Sequence, residues 1–261
     1  PAYNPSPQAL KATLDSLREQ TVRPHICLVD DGSRQAVGSH LAGDTDVTVL
    51  RLPTNAGIAA ALRYGIDYAL AQAFEYVCRL DVGDIAYPER IERQLAHMTA
   101  NPETAILGSV ARVVDLQGQT LHLHGIPGRE EVRRYLFLNA PFKHSTFFIR
   151  LSALERSGNY DEAFNGAEDY ELLLRVSRTA PVDCLPETLI DYVDDPGGIS
   201  TKRRTLQLRM RLSAQMQHRS LADFGWYVGV LRSAVTMAIP PAIAKRLSRS
   251  AWGREAREAP P

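Results

Sequence analysis

Apolar and polar positions alternate between two periods along this chain. Leu10, Leu14 and Leu17 recur at helical spacing and predict a helix over Gln8–Gln20. After Pro24 the run Ile26, Cys27, Leu28, Val29 is continuously apolar, as in a strand buried on both faces, and it ends in Asp30, Asp31, Gly32 and Ser33. Val47–Leu52 is a further strand. Asn55, Ala56 and Gly57 then lead into an alanine-rich helix over Ile58–Ala73. Tyr76–Asp81 is the next strand, stopped by Gly83 and Pro88 before a helix over Glu89–Thr99. Strand and helix alternating in steps of roughly twenty-five residues predict a parallel sheet with helices on its faces.

Beyond Thr99 the pattern changes. Ala105–Asp115 and Gln119–His124 flank Leu116-Gln117-Gly118 as a hairpin, which makes the sheet mixed. Glu130–Leu138 reads as a short helix, Thr146–Arg150 as a strand, and Glu168–Arg178 as a helix with Leu172, Leu173 and Val176 facing inward. Val182–Cys184 and Leu189–Val193 are short strands, and Pro196-Gly197-Gly198 opens a loop. Thr201–Arg219 predicts a basic helix, and Phe224–Ile239 is apolar and aromatic.

With 261 residues the chain can bury a sizeable core, and the expectation is one α/β domain with a C-terminal appendage. The net charge of zero hides an asymmetry. From Lys202 onward there are twelve Lys/Arg against three Asp/Glu, while the body before it is acidic. Phe224, Trp226, Tyr227, Val228, Leu231 and Met237, followed by Lys245, Arg246 and Arg249, make this tail a candidate surface for an anionic membrane or for a second copy of the chain. Cys27, Cys78 and Cys184 lie far apart without metal-ligand spacing and read as reduced core thiols. No signal-peptide pattern and no apolar run near the ~18 residues of a membrane span is present, so the expected location is cytoplasmic.

The candidate chemistry sits at strand ends. Asp81 and Asp84 follow the Tyr76 strand, at the carboxyl edge where open α/β sheets bind ligands. Two carboxylates there can hold a divalent cation that neutralises a diphosphate, or they can be a solvated turn in which Asp84 begins a helix; both readings stand on the residues alone.

Taken together, PAYN at Pro1–Asn4, VDDGS at Val29–Ser33, NAG at Asn55–Gly57, RLDVGDIAYPERIERQ at Arg79–Gln94 and EDYELLLR at Glu168–Arg175 resemble the family 2 glycosyltransferases, over Pro1 to about Arg209. The resemblance implies the GT-A fold, in which a nucleotide-binding parallel sheet flanked by helices runs into a mixed acceptor-side sheet. It assigns residues 1–100 to the nucleotide-sugar half, 101–200 to the acceptor half, and 201–261 to a basic helical extension. The family's first strand would run ahead of Pro1. The implied activity is inverting transfer of a hexosyl or deoxyhexosyl unit from a UDP- or dTDP-linked sugar to a glycan or polyprenyl-linked acceptor in surface-polysaccharide synthesis.

Residue by residue, the resemblance places Pro1, Ala2 and Tyr3 against the nucleotide base and makes Asp31 an acceptor for a ring N–H, a task suited to a carboxylate. Asp30 orients the loop. Asn55 and Gly57 lie near base or phosphate, at a helix N-terminus that favours negative charge. Arg79 and Asp81 belong to the donor site, and Asp81 with Asp84 to a Mn2+ or Mg2+ ion. The family's motif carries an acid where this chain has Gly83, which weakens that metal assignment. Asp169 is the implied base, with Glu168 shaping the site; without the resemblance, the pair reads as an acidic first helical turn favoured by the helix dipole. His144, in Lys143-His144-Ser145, lies near sugar and acceptor. Arg203, beside Lys202 and Arg204, belongs to a segment that closes over the diphosphate.

Two other classes bear on the same residues. A nucleotide-sugar-binding or regulatory protein of weakened catalysis would explain Gly83, but needs neither Asp169 nor the basic closing loop. A nucleotidyltransferase would need a glycine-rich phosphate loop near the start, and PAYNPSP is not one. No nucleic-acid partner is expected.

Overall fold

A computed structural model describes residues 1–41, 44–195 and 204–238. Pro7–Arg18 form α1 because Ser6 caps the first turn, accepting from the Ala9 amide at 3.1 Å, and proline at the first helical position needs no amide partner. Leu10 and Leu14 face inward from it. Strand β1 (Ile26–Asp30) pairs in parallel with β2 (Val47–Arg51), and α2 (Ile58–Ala71) lies against β1, Gly65 beside Val29, while its Leu62 and Ile66 join the main core.

Strand β3 (Tyr76–Cys78) lies in the mixed sheet. This strand does not join β1. It pairs antiparallel with β7 (Phe148–Arg150), within a six-stranded mixed sheet ordered β3-β7-β5-β8-β4, with β6 on β5. Here β4 is Ile85–Ala86, β5 is Ile106–Val114, β6 is Thr120–His124 and β8 is Val182–Val193. Strands pair only at about 4.8 Å, and the facing edges of β1 and β3 are separated by an apolar cleft of about 460 Å³ lined by Cys27, Val29, Tyr76 and Cys78. Among the described residues, the last rung on this edge of β1 is filled by Ala2: its amide donates to the Val29 carbonyl, and the Asp31 amide to the Ala2 carbonyl, both at 2.8 Å.

The expected β5–β6 hairpin is present and antiparallel. The two short strands expected near 182–193 are one bulged strand, β8, parallel to β5, with Leu185 opposite Ser109 and Thr188 opposite Val110. The two extra residues are Pro186 and Glu187, both exposed; a proline cannot donate to the ladder, and the bulge is where a strand accommodates it. Helix α3 is Arg90–Ala100, α4 Arg129–Tyr135 and α5 Leu151–Ser157. The main core gathers Ile106, Phe147 and Ile149 of the sheet region against Leu172 and Leu173 of α6 (Glu168–Val176).

Two further helices, α7 (Arg204–Gln217) and α8 (Phe224–Ala238), pack on the body. Gln215 Nε2 donates to the Phe137 carbonyl at 2.8 Å, and Trp226 Nε1 to the Gln215 carbonyl at 2.7 Å. Trp226 is therefore buried and does not belong to the exposed aromatic surface expected of the tail. Among the described residues no helix is long and apolar enough to cross a membrane.

Candidate active site

The carboxyl ends of β1 and β3 and the N-terminus of α6 converge on a group of acids around one guanidinium. Arg79 follows β3, fixed by its amide donating to the Phe147 carbonyl at 2.8 Å, and its side chain is buried. Nη2 donates to Asp81 Oδ1 at 2.6 Å and Nη1 to Ser145 Oγ at 3.3 Å. The electrostatic influence of Arg79 extends to Glu168 and Asp169. Arg90, wholly buried behind it, donates to the Arg79 carbonyl at 2.7 Å and locks the strand end in place.

Glu168 and Asp169 open α6. Glu168 is buried: its Oε2 accepts from the Gly166 amide at 2.6 Å, and its Oε1 lies 3.9 Å from His144 Nδ1. Burial and then the charge of Asp169 push the Glu168 carboxyl up to about 7. Asp169 is half-buried, and burial raises it too. Its Oδ1 accepts from the Tyr170 amide at 2.7 Å, and among the described residues its Oδ2 accepts from none. His144, held neutral by burial, meets the hydroxyl of buried Tyr160 at 2.7 Å, so that Tyr160, His144 and Glu168 form a polar chain beneath the acids.

Asp31 accepts three hydrogen bonds within the chain, which leaves one acceptor position on Oδ1. Its Oδ1 accepts from the Ala56 amide at 2.8 Å, and its Oδ2 from Asn55 Nδ2 at 2.8 Å and the Gly57 amide at 3.0 Å. Asn55 and Gly57, expected near base or phosphate, are thus clamped to β1 by this carboxylate together with Ala56. Asp30 accepts from the Ser33 and Val37 amides and from Arg51, and orients the loop as expected. Ala2 is buried beside it, Pro1 lies near Asp81 and Arg79, and Tyr3 is 46% exposed, with its ring open to a ligand.

Asp81 and Asp84, the pair expected to hold a divalent cation, are both engaged within the chain. Asp84 is buried: its Oδ1 accepts from the Val193 amide at 2.9 Å and its Oδ2 from the Ser145 hydroxyl. Burial, then Asp81, raises it to about 6. Asp81 has one oxygen on Arg79 and the other 3.2 Å from Ser145. A nucleotide-bound Mn2+ or Mg2+ draws most of its oxygens from the diphosphate and water, and among the described residues no group of three or more His, Cys, Asp or Glu could hold a metal ion by itself. At Gly83, where the family's acid would stand, φ is +111°, a conformation that side-chain-bearing residues rarely adopt, and the amide donates to Thr13 Oγ1 at 2.9 Å. The chain uses this position to turn, not to bind. Arg203 lies outside the described residues.

Sequence reasoning missed Ser145, Tyr160 and Tyr192. Ser145 is the hinge between Asp81 and Asp84, and its place beside His144 was the available signal. Nothing local distinguishes Tyr160 or Tyr192, which become neighbours of the acids only through the fold.

The arrangement can bind a planar base at Tyr3, place charged groups around a diphosphate near Asp81, and offer a carboxylate, Asp169, to an incoming hydroxyl. Comparison with known proteins agrees in kind. The family model described as glycosyl transferase family 2 matches residues 1–158. The chain is 30% identical over 232 residues to the amylovoran biosynthesis glycosyltransferase AmsE of Erwinia amylovora, covering 86% of this chain and 85% of the relative. It is 26% identical over 135 residues to the O-antigen biosynthesis glycosyltransferase WbnJ of Escherichia coli, half of each chain. In fold it is similar to S. aureus TarS 1–349, with a TM-score of 0.65 over 89% of this chain and 69% of that one, at 17% identity.

Proposed function

The chain belongs to glycosyl transferase family 2 and has a GT-A-like α/β fold, and from that premise we propose that it moves a sugar, with inversion, from a UDP- or dTDP-linked donor to a hydroxyl of a glycan or polyprenyl-linked acceptor in the making of a surface polysaccharide. The polysaccharide assignment leans on the names of AmsE and WbnJ. One observation carries the chemistry: a single buried guanidinium, Arg79, binds the donor-side Asp81 at 2.6 Å and lies in the field of Glu168 and Asp169, so donor end and base end share one centre.

In the step that follows, the acceptor oxygen forms a bond to the anomeric carbon as its proton passes to Asp169. The bond from that carbon to the β-phosphate oxygen breaks, and its electron pair leaves with the nucleoside diphosphate. Asp169 is the better base of the pair because its Oδ2 is uncommitted and it is the less buried. Glu168, pinned by the Gly166 amide and facing His144, positions it. The test is a screen of UDP- and dTDP-sugars for release of nucleoside diphosphate with an acceptor. Asp169→Asn should cut kcat by about 10²–10⁴-fold while leaving donor affinity within a factor of two. Full turnover in that variant overturns the base assignment.

The second proposal concerns location. Phe224, Tyr227, Val228, Leu231 and Val235 lie along one exposed side of α8, while Trp226, Gly229 and Ser233 pack inward. We propose that this apolar side rests on an anionic membrane surface, where a polyprenyl-linked acceptor would be presented. The basic residues Lys245, Arg246 and Arg249 that would assist lie outside the described residues.

A further inference from the structure

A nucleoside diphosphate leaving group brings several negative charges to a site already built of carboxylates, and in this chain the acids that might recruit a metal ion to offset them are otherwise engaged. Asp84 is committed to Val193 and Ser145, Asp81 is committed to Arg79, and Gly83 turns the chain where a third acid would be. The arginines nearby are each held by hydrogen bonds to the chain, and the N–H that each leaves unpartnered, Arg79 Nε, Arg90 Nη1 and Arg211 Nε, is buried. Arg79 serves Asp81 and Ser145, Arg90 serves Gln94 and the Arg79 carbonyl, and Arg211 serves Asn139 and the Leu138 carbonyl.

One cation is different. Lys143 precedes the 3-10 turn His144–Thr146, half-buried, with Nζ 4.3 Å from the centre of the Tyr192 ring. Its charge faces Asp84 on the donor side, Asp169 at the N-terminus of α6, and Asp194 just past the end of β8. Among the described residues its ammonium has no hydrogen-bond acceptor, so three N–H donors remain available in the middle of the site. The Tyr192 ring and the three carboxylates offset part of the cost of burying that charge without consuming its donors.

Resting on the donor reading above, we propose that Lys143 is the cation of this site: its ammonium binds the diphosphate of the donor and meets the charge that develops on it, the role for which the family resemblance implied a metal ion on Asp81 and Asp84. When the anomeric carbon–oxygen bond breaks, its electron pair stays on the β-phosphate oxygen. Lys143 keeps its proton and donates a hydrogen bond to that diphosphate, and the acceptor's proton goes to Asp169. A fixed ammonium in a partly desolvated site acts there as Arg and Lys clamps do in phosphoryl chemistry.

Titration calorimetry of the full chain with UDP and dTDP, each in EDTA and in Mn2+, tests this, with uridine and thymidine as phosphate-free controls. The expected result is diphosphate binding in EDTA within threefold of that in Mn2+. Lys143→Gln should weaken UDP or dTDP at least tenfold in EDTA while changing the nucleoside less than twofold, and Lys143→Arg should recover most of the loss. A second measurement needs no variant. Amine acetylation of the wild type, read by peptide mass, should be blocked at Lys143 by the diphosphate and not by the nucleoside. Tightening of the wild type by Mn2+ of tenfold or more, unchanged diphosphate affinity in Lys143→Gln, or a Lys143 equally modified with and without the diphosphate each overturns the proposal while leaving the donor reading in place. Failure of the wild type to bind any of these nucleotides or nucleosides removes the donor reading, and this inference with it.

Discussion

Glu168 shows how far a single side chain is governed by what surrounds it. In the sequence it is an ordinary acid at a helix start, yet burial and the neighbouring charge raise it from 4.5 to about 7. Its proton is thus held more tightly in the folded chain than in the unfolded one, so the stability it contributes is fully present below about 4.5 and is lost as the pH rises through about 7. Glu168→Gln should accordingly flatten the fall in Tm between pH 5 and pH 8 seen in thermal melts of the wild type; an unchanged slope would show that Glu168 is not the group responsible. The same variant removes a like charge from beside Asp169, and the rise of kcat with pH should move to lower pH. Gly83 makes the opposite point. Because φ is +111° there, Gly83→Asp should lower stability by about 1–3 kcal/mol, and melts with and without Mn2+ should show no gain from the metal. A metal-dependent stabilisation of that variant would mean that the turn can relax into a cation site.

Helix α6 owes its position to a charged cluster that no stretch of sequence displays. Glu171, fully buried on α6, accepts from Arg175 Nε and Nη2 at 2.8 Å each and from His218 Nε2 at 2.8 Å. Burial pulls its carboxyl up, but the hydrogen bonds from Arg175 and His218 outweigh burial and hold it below the usual range. The contribution is therefore present above the unfolded value and is lost as the pH falls through the lowered folded one. Arg175 also donates to the Ser157, Gly158 and Asn159 carbonyls, so that the cluster ties α6 to the end of α5, and His218 ties it to the end of α7. Glu171→Ala leaves the Arg175 charge without its carboxylate and should cost about 3–5 kcal/mol in denaturant unfolding. A loss under about 1 kcal/mol would mean that α6 is held by its leucines alone. This cluster was illegible beforehand because Glu171 and His218 are forty-seven residues apart, whereas Leu172, Leu173 and Val176 declared the inward face of the same helix by their spacing.

For the molecule as a whole, the open question is what covers the outer side of α8, where Phe224 and Leu231 are 79% and 65% exposed. Apolar burial at about 25 cal/mol per Å² combined with roughly 1 kcal/mol per headgroup-facing cation is enough for reversible attachment and too little for permanent anchoring. The full chain should float with anionic liposomes in low salt, and Phe224→Glu with Leu231→Glu should remain folded and stay at the bottom of the gradient. If the full chain ignores the liposomes and the double variant instead changes a dimer into a monomer by light scattering, the surface serves a second copy of the chain. Truncation after Ser220 would not separate these outcomes, because Trp226 packs on Gln215 and its loss would disturb the body.

Local patterns determined a good deal of this protein without help from the fold. Apolar runs ending in Asp30-Asp31 and Arg79–Asp84 marked strand ends, the leucines of α6 marked its buried face, and the order of these motifs was sufficient to indicate family 2. Those signals are legible because strand burial, helix periodicity and punctuation by glycine and proline act over a few residues. What the tertiary structure alone decided is which polar atoms remain free. Asp31 and Asp84 stand in motifs as available ligands, yet amides and a hydroxyl brought from Ala56, Gly57, Val193 and Ser145 engage them, while Lys143, which the sequence marked only as a neighbour of His144, keeps its donors. Likewise β3 pairs with β7, seventy residues on. Hydrogen-bond commitment and strand partnership depend on atoms brought together across the chain, and no window of sequence holds both partners.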